Sequence, residues 1–159
     1  MYIRDITMKN SWQPDKTEIE CLIKAAREAK EYALAFKSKH SIGAAVLTKD
    51  GKIFEGTNID GIISSQGICA EMAAINHAVV HNQKMIRAVC VYDVGFTYPC
   101  GVCLQYMAQF EQISGRDVTI IVAKEGGDWV TKSAKELLPK RYESKNFQKD
   151  LKNYAKQNQ

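Results

Sequence analysis

The sequence predicts an α/β fold, a three-layer α/β/α sandwich around a mixed sheet of about five strands. Two observations carry that reading. Strand and helix patterns alternate after an initial hairpin, and the run from Arg87 to Val94 is apolar and β-branched enough for a strand buried on both faces. With three prolines, no Gly/Ser-rich linker and no long repeat, the 159 residues read as one folding unit.

Each element has its own signal. The stretch before Asp15 has no clear period. Asp15 stands three residues before Glu18 as a capping box, and Ile19, Leu22, Ile23, Ala26, Ala29, Ala33 and Phe36 follow at helical spacing, predicting a first helix with one buried face. Residues 41–48 form a short apolar run, Asp50-Gly51 supplies a turn, and Lys52 to Asn58 alternates around Ile53 and Phe54, which predicts a hairpin. Residues 59–68 read as a loop. Cys69 to Val80 resumes a helical pattern through Met72, Ala73, Ile75 and Val79. After the 87–94 strand and a loop to Pro99, Cys100 to Ile113 is helical, with Cys103, Leu104, Met107, Ala108 and Phe110 on its apolar side. Asp117 to Ala123 is a strand, Gly126-Gly127 turns into Trp129 to Thr131, and Ser133 caps a short helix ending near Pro139.

Composition excludes several classes. Hydrophobic residues at 45% and charged residues at 25% are those of an ordinary folded domain, not of a disordered chain or a disulfide scaffold. No apolar run reaches the ~20 residues a membrane-spanning helix needs, and the first ten residues lack an apolar signal core, so a cytoplasmic location is expected. The net charge of +4 lies in the tail. Residues 140–159 hold six basic side chains against Glu143 and Asp150, leaving 16 basic and 16 acidic side chains in residues 1–139. Residues 144–159 read as a basic C-terminal extension, with Phe147, Leu151 and Tyr154 at helical spacing after Ser144 as a cap, so its lysines face solvent. A neutral body argues against a nucleic-acid partner.

Five cysteines are an odd number, and reduced thiols point to metal or catalysis. Cys100 and Cys103 stand at Cys-x-x-Cys spacing after Pro99, at a predicted helix start, and Cys69 opens the preceding helix. Free amide N–H groups and the positive dipole end there favour thiolate, and hence zinc. Three thiolates leave the fourth position of a tetrahedral ion for water, which is the catalytic arrangement, whereas a structural site takes four protein ligands. Glu71, two residues after Cys69, fits the carboxylate that moves protons beside such a water. Cys69-Ala70-Glu71 followed by Pro99-Cys100-Gly101-Val102-Cys103 satisfies both halves of the zinc nucleobase-deaminase motif, with 27 residues from Met72 to Tyr98 between them. A redox pair at Cys100 and Cys103 leaves Cys69-Ala70-Glu71 unexplained. His77 and His81 lie two to three turns beyond Cys69 and read as ordinary helix residues, and Cys21 and Cys90 as small buried apolar groups.

On these residues the chain resembles the small zinc cytidine deaminases, of the three-cysteine type, and more distantly the blasticidin-S deaminases. The resemblance covers roughly residues 18–143. It extends to Ser38-Lys39-His40-Ser41-Ile42-Gly43-Ala44-Ala45 before the first strand, Asp50-Gly51, Asn58-Ile59-Asp60 and Glu136-Leu137-Leu138-Pro139. It implies a cytidine-deaminase-like sheet, Zn2+ held by Cys69, Cys100 and Cys103, proton transfer by Glu71, and substrate contacts from Asn58, Asp60, His40 and Ala70. It also implies a homotetramer, or a dimer as the smaller assembly, acting on a small-molecule nucleoside in pyrimidine salvage. Four departures stand out. Asp60 replaces a glutamate that meets the ribose hydroxyls, His40 replaces a phenylalanine, and Ser64 and Ser65 replace a Tyr-Gly pair. Met72 and Leu104 stand where three-cysteine relatives carry arginines that offset thiolate charge, which leaves that task to the two helix N-termini. The first three departures lie on the substrate side, while the metal-binding and proton-transfer residues Cys69, Cys100, Cys103 and Glu71 are intact. Deamination of cytidine or deoxycytidine is therefore the first expectation, deamination of another cytosine-bearing compound such as blasticidin S the second, and a zinc-stabilised nucleic-acid-binding or editing protein the third.

Overall fold

A computed structural model describes residues 4–5 and 11–157. In chain order the elements are β1 (Arg4–Asp5), α1 (Lys16–Lys30), β2 (Gly43–Thr48), β3 (Lys52–Thr57), α2 (Ala70–Val80), β4 (Ile86–Asp93), α3 (Gly101–Ser114), β5 (Thr119–Lys124), β6 (Trp129–Ser133), α4 (Ala134–Leu137) and α5 (Gln148–Gln157), with one 3-10 turn at Ser64–Gln66. The sheet order is β1-β3-β2-β4-β5-β6. Among the named strands of the described residues only β4 and β5 run parallel, joined across the sheet by α3; the other pairs are antiparallel. The sheet is thus mixed, with five full strands and a two-residue sixth at the edge.

Alternation along the central strands builds two apolar layers. Ala44 and Val46 of β2, Val89 of β4, and Ile120 and Val122 of β5 face α2 and α3, where they meet Ala74, Ile75, Met107 and Phe110. Ala45, Leu47, Ala88, Cys90 and Ile121 face the other way, onto Ile19, Leu22, Ala25 and Ala26 of α1. Two glycines set how closely helices meet the sheet. A Cβ on Gly43 would fall 1.8 Å from Ala26 O, and one on Gly56 would fall 2.2 Å from Ala74 N, so α1 and α2 rest directly on strand backbone.

The Asp15–Glu18 capping box is present. Glu18 does more than cap, because its two oxygens also receive Arg87 Nη1 at 2.8 Å and Nη2 at 3.0 Å in a buried pair. Arg87 further donates to the carbonyls of Ser11 and Trp12, fixing a stretch that has no periodicity to reveal it. The first helix is shorter than its apolar spacing predicts. It caps at Glu31 and tightens through i to i+3 bonds from Tyr32 and Ala33. Leu34 then leaves to exchange backbone bonds with Asn58 and Asp60, which puts Ala33 beyond the helix and Phe36 on the surface.

The chain after α4 returns to α3. Gln105 binds the backbone of Tyr142 twice, each bond 2.8 Å, and Arg141 pairs with the buried Glu111. Ser144 Oγ accepts from Phe147 N at 3.3 Å ahead of α5, which packs along α3 with Leu151 half-buried and Lys149, Lys152 and Lys156 exposed.

Candidate active site

The topology brings two helix N-termini to one edge. Strands β3 and β4 both run antiparallel to β2, so they end at the same side of the sheet, and α2 and α3 begin there. That crevice beyond the carboxyl ends of strands is where open α/β sheets bind ligands. Cys69 and Cys100 are the extended N-cap residues of α2 and α3, and neither uses its sulfur to cap. Cys103, three residues on, shares a helix face with Cys100.

The sulfurs of Cys69 and Cys100 lie 3.9 Å apart, and all three Sγ atoms fall within 4.8 Å of one another. Ligands about 2.3 Å from a tetrahedral zinc stand about 3.8 Å apart, so this set fits the ion, with one position left over. Cys103 is fully buried, Cys69 half-buried and Cys100 exposed, so the cluster opens on the Cys100 side. The thiols share protons unequally. The hydrogen bond from Cys103 draws Cys69 down to about 6, with burial and the Glu71 charge opposing and Cys100 assisting. The same bond, with burial, pushes Cys103 up. Leu104 is buried in the core and Met72 packs against it, so both stand as apolar groups where charge was wanted.

Glu71 is 5% exposed in the first turn of α2, and burial pushes its carboxyl up, against its own backbone N–H and Cys103. A carboxyl whose proton affinity is raised by burial is suited to taking up and passing on a proton. Glu71, Cys69, Ala70 and Cys100 line a cavity of about 440 Å³, whose outer wall includes Asn58, Asp60 and His40. Ala70 is 1% exposed and fixes the floor. Seven of the eight residues expected from the sequence meet in this cavity, and Cys103 sits in the sulfur cluster beside it.

The rim is held by its own side chains. Asn58 Oδ1 accepts from Ile42 N at 2.8 Å, and its Nδ2 donates to His40 O at 2.9 Å. Asp60 Oδ2 accepts from Lys37 N at 2.7 Å and Ser38 N at 2.6 Å, and the Ser38 N–H above all holds this carboxyl below the usual range. Asp60 therefore shapes the 37–38 turn with one oxygen while the residue lines the cavity. Sequence reasoning missed three members of the site. Thr97 and Tyr98 line the cavity, and Asp93, at the end of β4, binds Thr97 Oγ1 and stands 2.8 Å from His40 Nε2. The one available signal was a carboxylate ending a strand that is apolar from Ala88 to Val91. His77 donates to Glu55 O and touches the rings of Phe54 and His81, outside the sulfur cluster.

Three cysteines at two helix N-termini with a buried carboxyl beside them define a metal-dependent hydrolase site on an α/β sheet. The profile described as the cytidine and deoxycytidylate deaminase zinc-binding region matches residues 16–118. A probable cytidine deaminase of Dictyostelium discoideum is 33% identical over 128 residues, 79% of this chain and 84% of that protein. The blasticidin-S deaminase of Bacillus cereus is 28% identical over 115 residues, 66% of this chain and 79% of its own. The crystal structure of cytidine deaminase from Burkholderia pseudomallei superposes with a TM-score of 0.71 at 31% identity, covering 77% of this chain and 98% of that one. The chain belongs to the cytidine and deoxycytidylate deaminase family, and with it to the zinc-dependent deaminases.

Proposed function

We propose that the protein deaminates a free cytosine nucleoside, converting cytidine or deoxycytidine to uridine or deoxyuridine with release of ammonia. The observation that carries this is Glu71, buried in the cavity floor beside three sulfurs spaced for zinc. Cys69, Cys100 and Cys103 would hold the ion, which when bound supplies a water acidic enough to attack at neutral pH. Glu71 takes the proton of the attacking water and delivers it to the ring nitrogen next to C4. The water oxygen bonds to C4, the C4–N4 bond breaks, and Glu71 passes the second proton to the departing amine, so one water enters and one ammonia leaves. The N-terminal dipoles of α2 and α3 offset the thiolate charge in place of the missing arginines.

The test is an ultraviolet deamination assay on cytidine, deoxycytidine, cytosine, CMP and blasticidin S, with Glu71→Ala as control. Turnover of the nucleosides that vanishes in the control supports the reading, and turnover of blasticidin S alone replaces it with the second reading. That second reading draws on the blasticidin-S deaminase relative and on the altered rim at Asp60, His40 and Ser64. The reading extends to a cytoplasmic homotetramer of pyrimidine salvage. Ile62, Ile63 and Val102 are 88%, 60% and 65% exposed near the cavity, which is the character of surface that another subunit covers. Light scattering that gives a monomer would remove the tetramer.

A further inference from the structure

The Asp93–His40 contact has no part in proton transfer at the floor. Asp93 ends β4 with its side chain 2% exposed, and its carboxylate gathers three donors from two walls of the cavity. His40 Nε2 comes from the segment before β2 at 2.8 Å. Thr97 Oγ1 comes from the loop leading to Cys100, and Val94 N lies 2.7 Å from Oδ1. Lys30 Nζ, 3.9 Å away, faces the same carboxylate from α1 and is shared with Glu125 at 3.0 Å.

A carboxylate can only accept, so His40 Nε2 carries its hydrogen toward Asp93. Nδ1 is then the one ring nitrogen left for a ligand, and among the described residues it has no hydrogen-bond partner. It accepts if the ring is neutral and donates if the ring is protonated. A hydroxyl satisfies both states, because it gives and receives; a carbonyl or an ammonium satisfies only one. Depth decides which part of the ligand it meets. Glu71 and Ala70 are buried at the floor, where the reacting ring belongs, whereas the His40 side chain is 50% exposed at the rim, where the rest of the molecule lies.

We propose that His40 is the specificity residue that binds a sugar hydroxyl of the substrate through Nδ1, and that Asp93 is its positioning residue. This rests on the deaminase reading above and adds the group by which the substrate is selected.

The test compares kcat/KM for cytidine with its 2′-deoxy, 3′-deoxy and 5′-deoxy analogues, in wild type, His40→Phe and Asp93→Asn, alongside uridine binding by calorimetry and zinc content. In the wild type, loss of the selected hydroxyl should cost about tenfold, mostly in KM, the size of one hydrogen bond. His40→Phe should bring that one ratio to within about twofold, leave the other two unchanged, and weaken uridine without losing zinc. Asp93→Asn, which keeps the imidazole but weakens its anchor, should reduce the same ratio and no other. A wild type indifferent to all three hydroxyls, or an active His40→Phe with unchanged ratios, overturns the proposal. A wild type that neither turns over cytidine nor binds uridine overturns the deaminase reading as well, and so the two failures are distinct.

Discussion

Glu71 and the three cysteines make separable demands on single residues. Glu71→Gln keeps the volume and removes the proposed proton carrier, so zinc content should match wild type while turnover falls about 10²- to 10⁴-fold; equal turnover would take Glu71 out of the mechanism. Cys100→Ser should instead lower zinc content by elemental analysis and lower the melting temperature with it, because ligation and folding are coupled. Asp93 gives the pH dependence. Burial pushes its carboxyl up, but bonds from Thr97 and Val94 N–H and the charge of His40 outweigh this, and the net direction is down. A carboxyl lowered on folding stabilises above its unfolded value of about 3.9 and loses that contribution as pH falls through the folded value. The melting-temperature gap between wild type and Asp93→Asn should therefore be widest near neutral pH and shrink below about pH 4; a gap constant down to about pH 3 would contradict it. These residues were unequally legible. The clustered cysteines and Glu71 announce themselves by spacing along a short motif, whereas Asp93 meets a partner 53 residues away and looks in sequence like a strand end meeting solvent.

Among the elements, close packing turns one substitution into two opposite outcomes. Gly56→Ala would drive a methyl into the backbone of α2 at Ala74, so overpacking should cost about 1–3 kcal/mol or more and displace the helix that bears Cys69 and Glu71. Gly101→Ala, at the start of α3, meets open space and should stabilise by up to about 1 kcal/mol through helix propensity. Urea denaturation of both variants, with turnover measured beside it, checks the pair. Arg87→Ala leaves Glu18 buried without its partner and should cost about 3–5 kcal/mol. Every predicted helix and strand has its counterpart, because apolar periodicity reports the layer a face packs against. What periodicity misses is set elsewhere. The end of α1 is decided by the pairing of Leu34 with residues 58 and 60, and the place of β1 by its pairing with β3.

The whole molecule carries its excess charge on a tail clasped to α3 by Gln105 and Glu111, with its lysines outward, so the cavity is not framed by a basic field. Among the described residues no helix is long and apolar enough to cross a membrane. KM for an uncharged nucleoside should then hold steady from about 50 to about 300 mM salt, while any affinity for single-stranded DNA should be weak and fall steeply over that range. A KM that rises with salt would mean an anionic substrate. The sulfur-lined floor stands on α2 and α3, whose apolar faces pack on the sheet, whereas the rim is drawn from irregular segments 37–42 and 58–68 and the loop after β4. For retargeting, this division marks out a mutational library. Positions 40 and 64, both exposed, can be randomised together while Asp60 is kept to hold the 37–38 turn, and each variant then inherits the same α2–α3 floor and differs in what it admits.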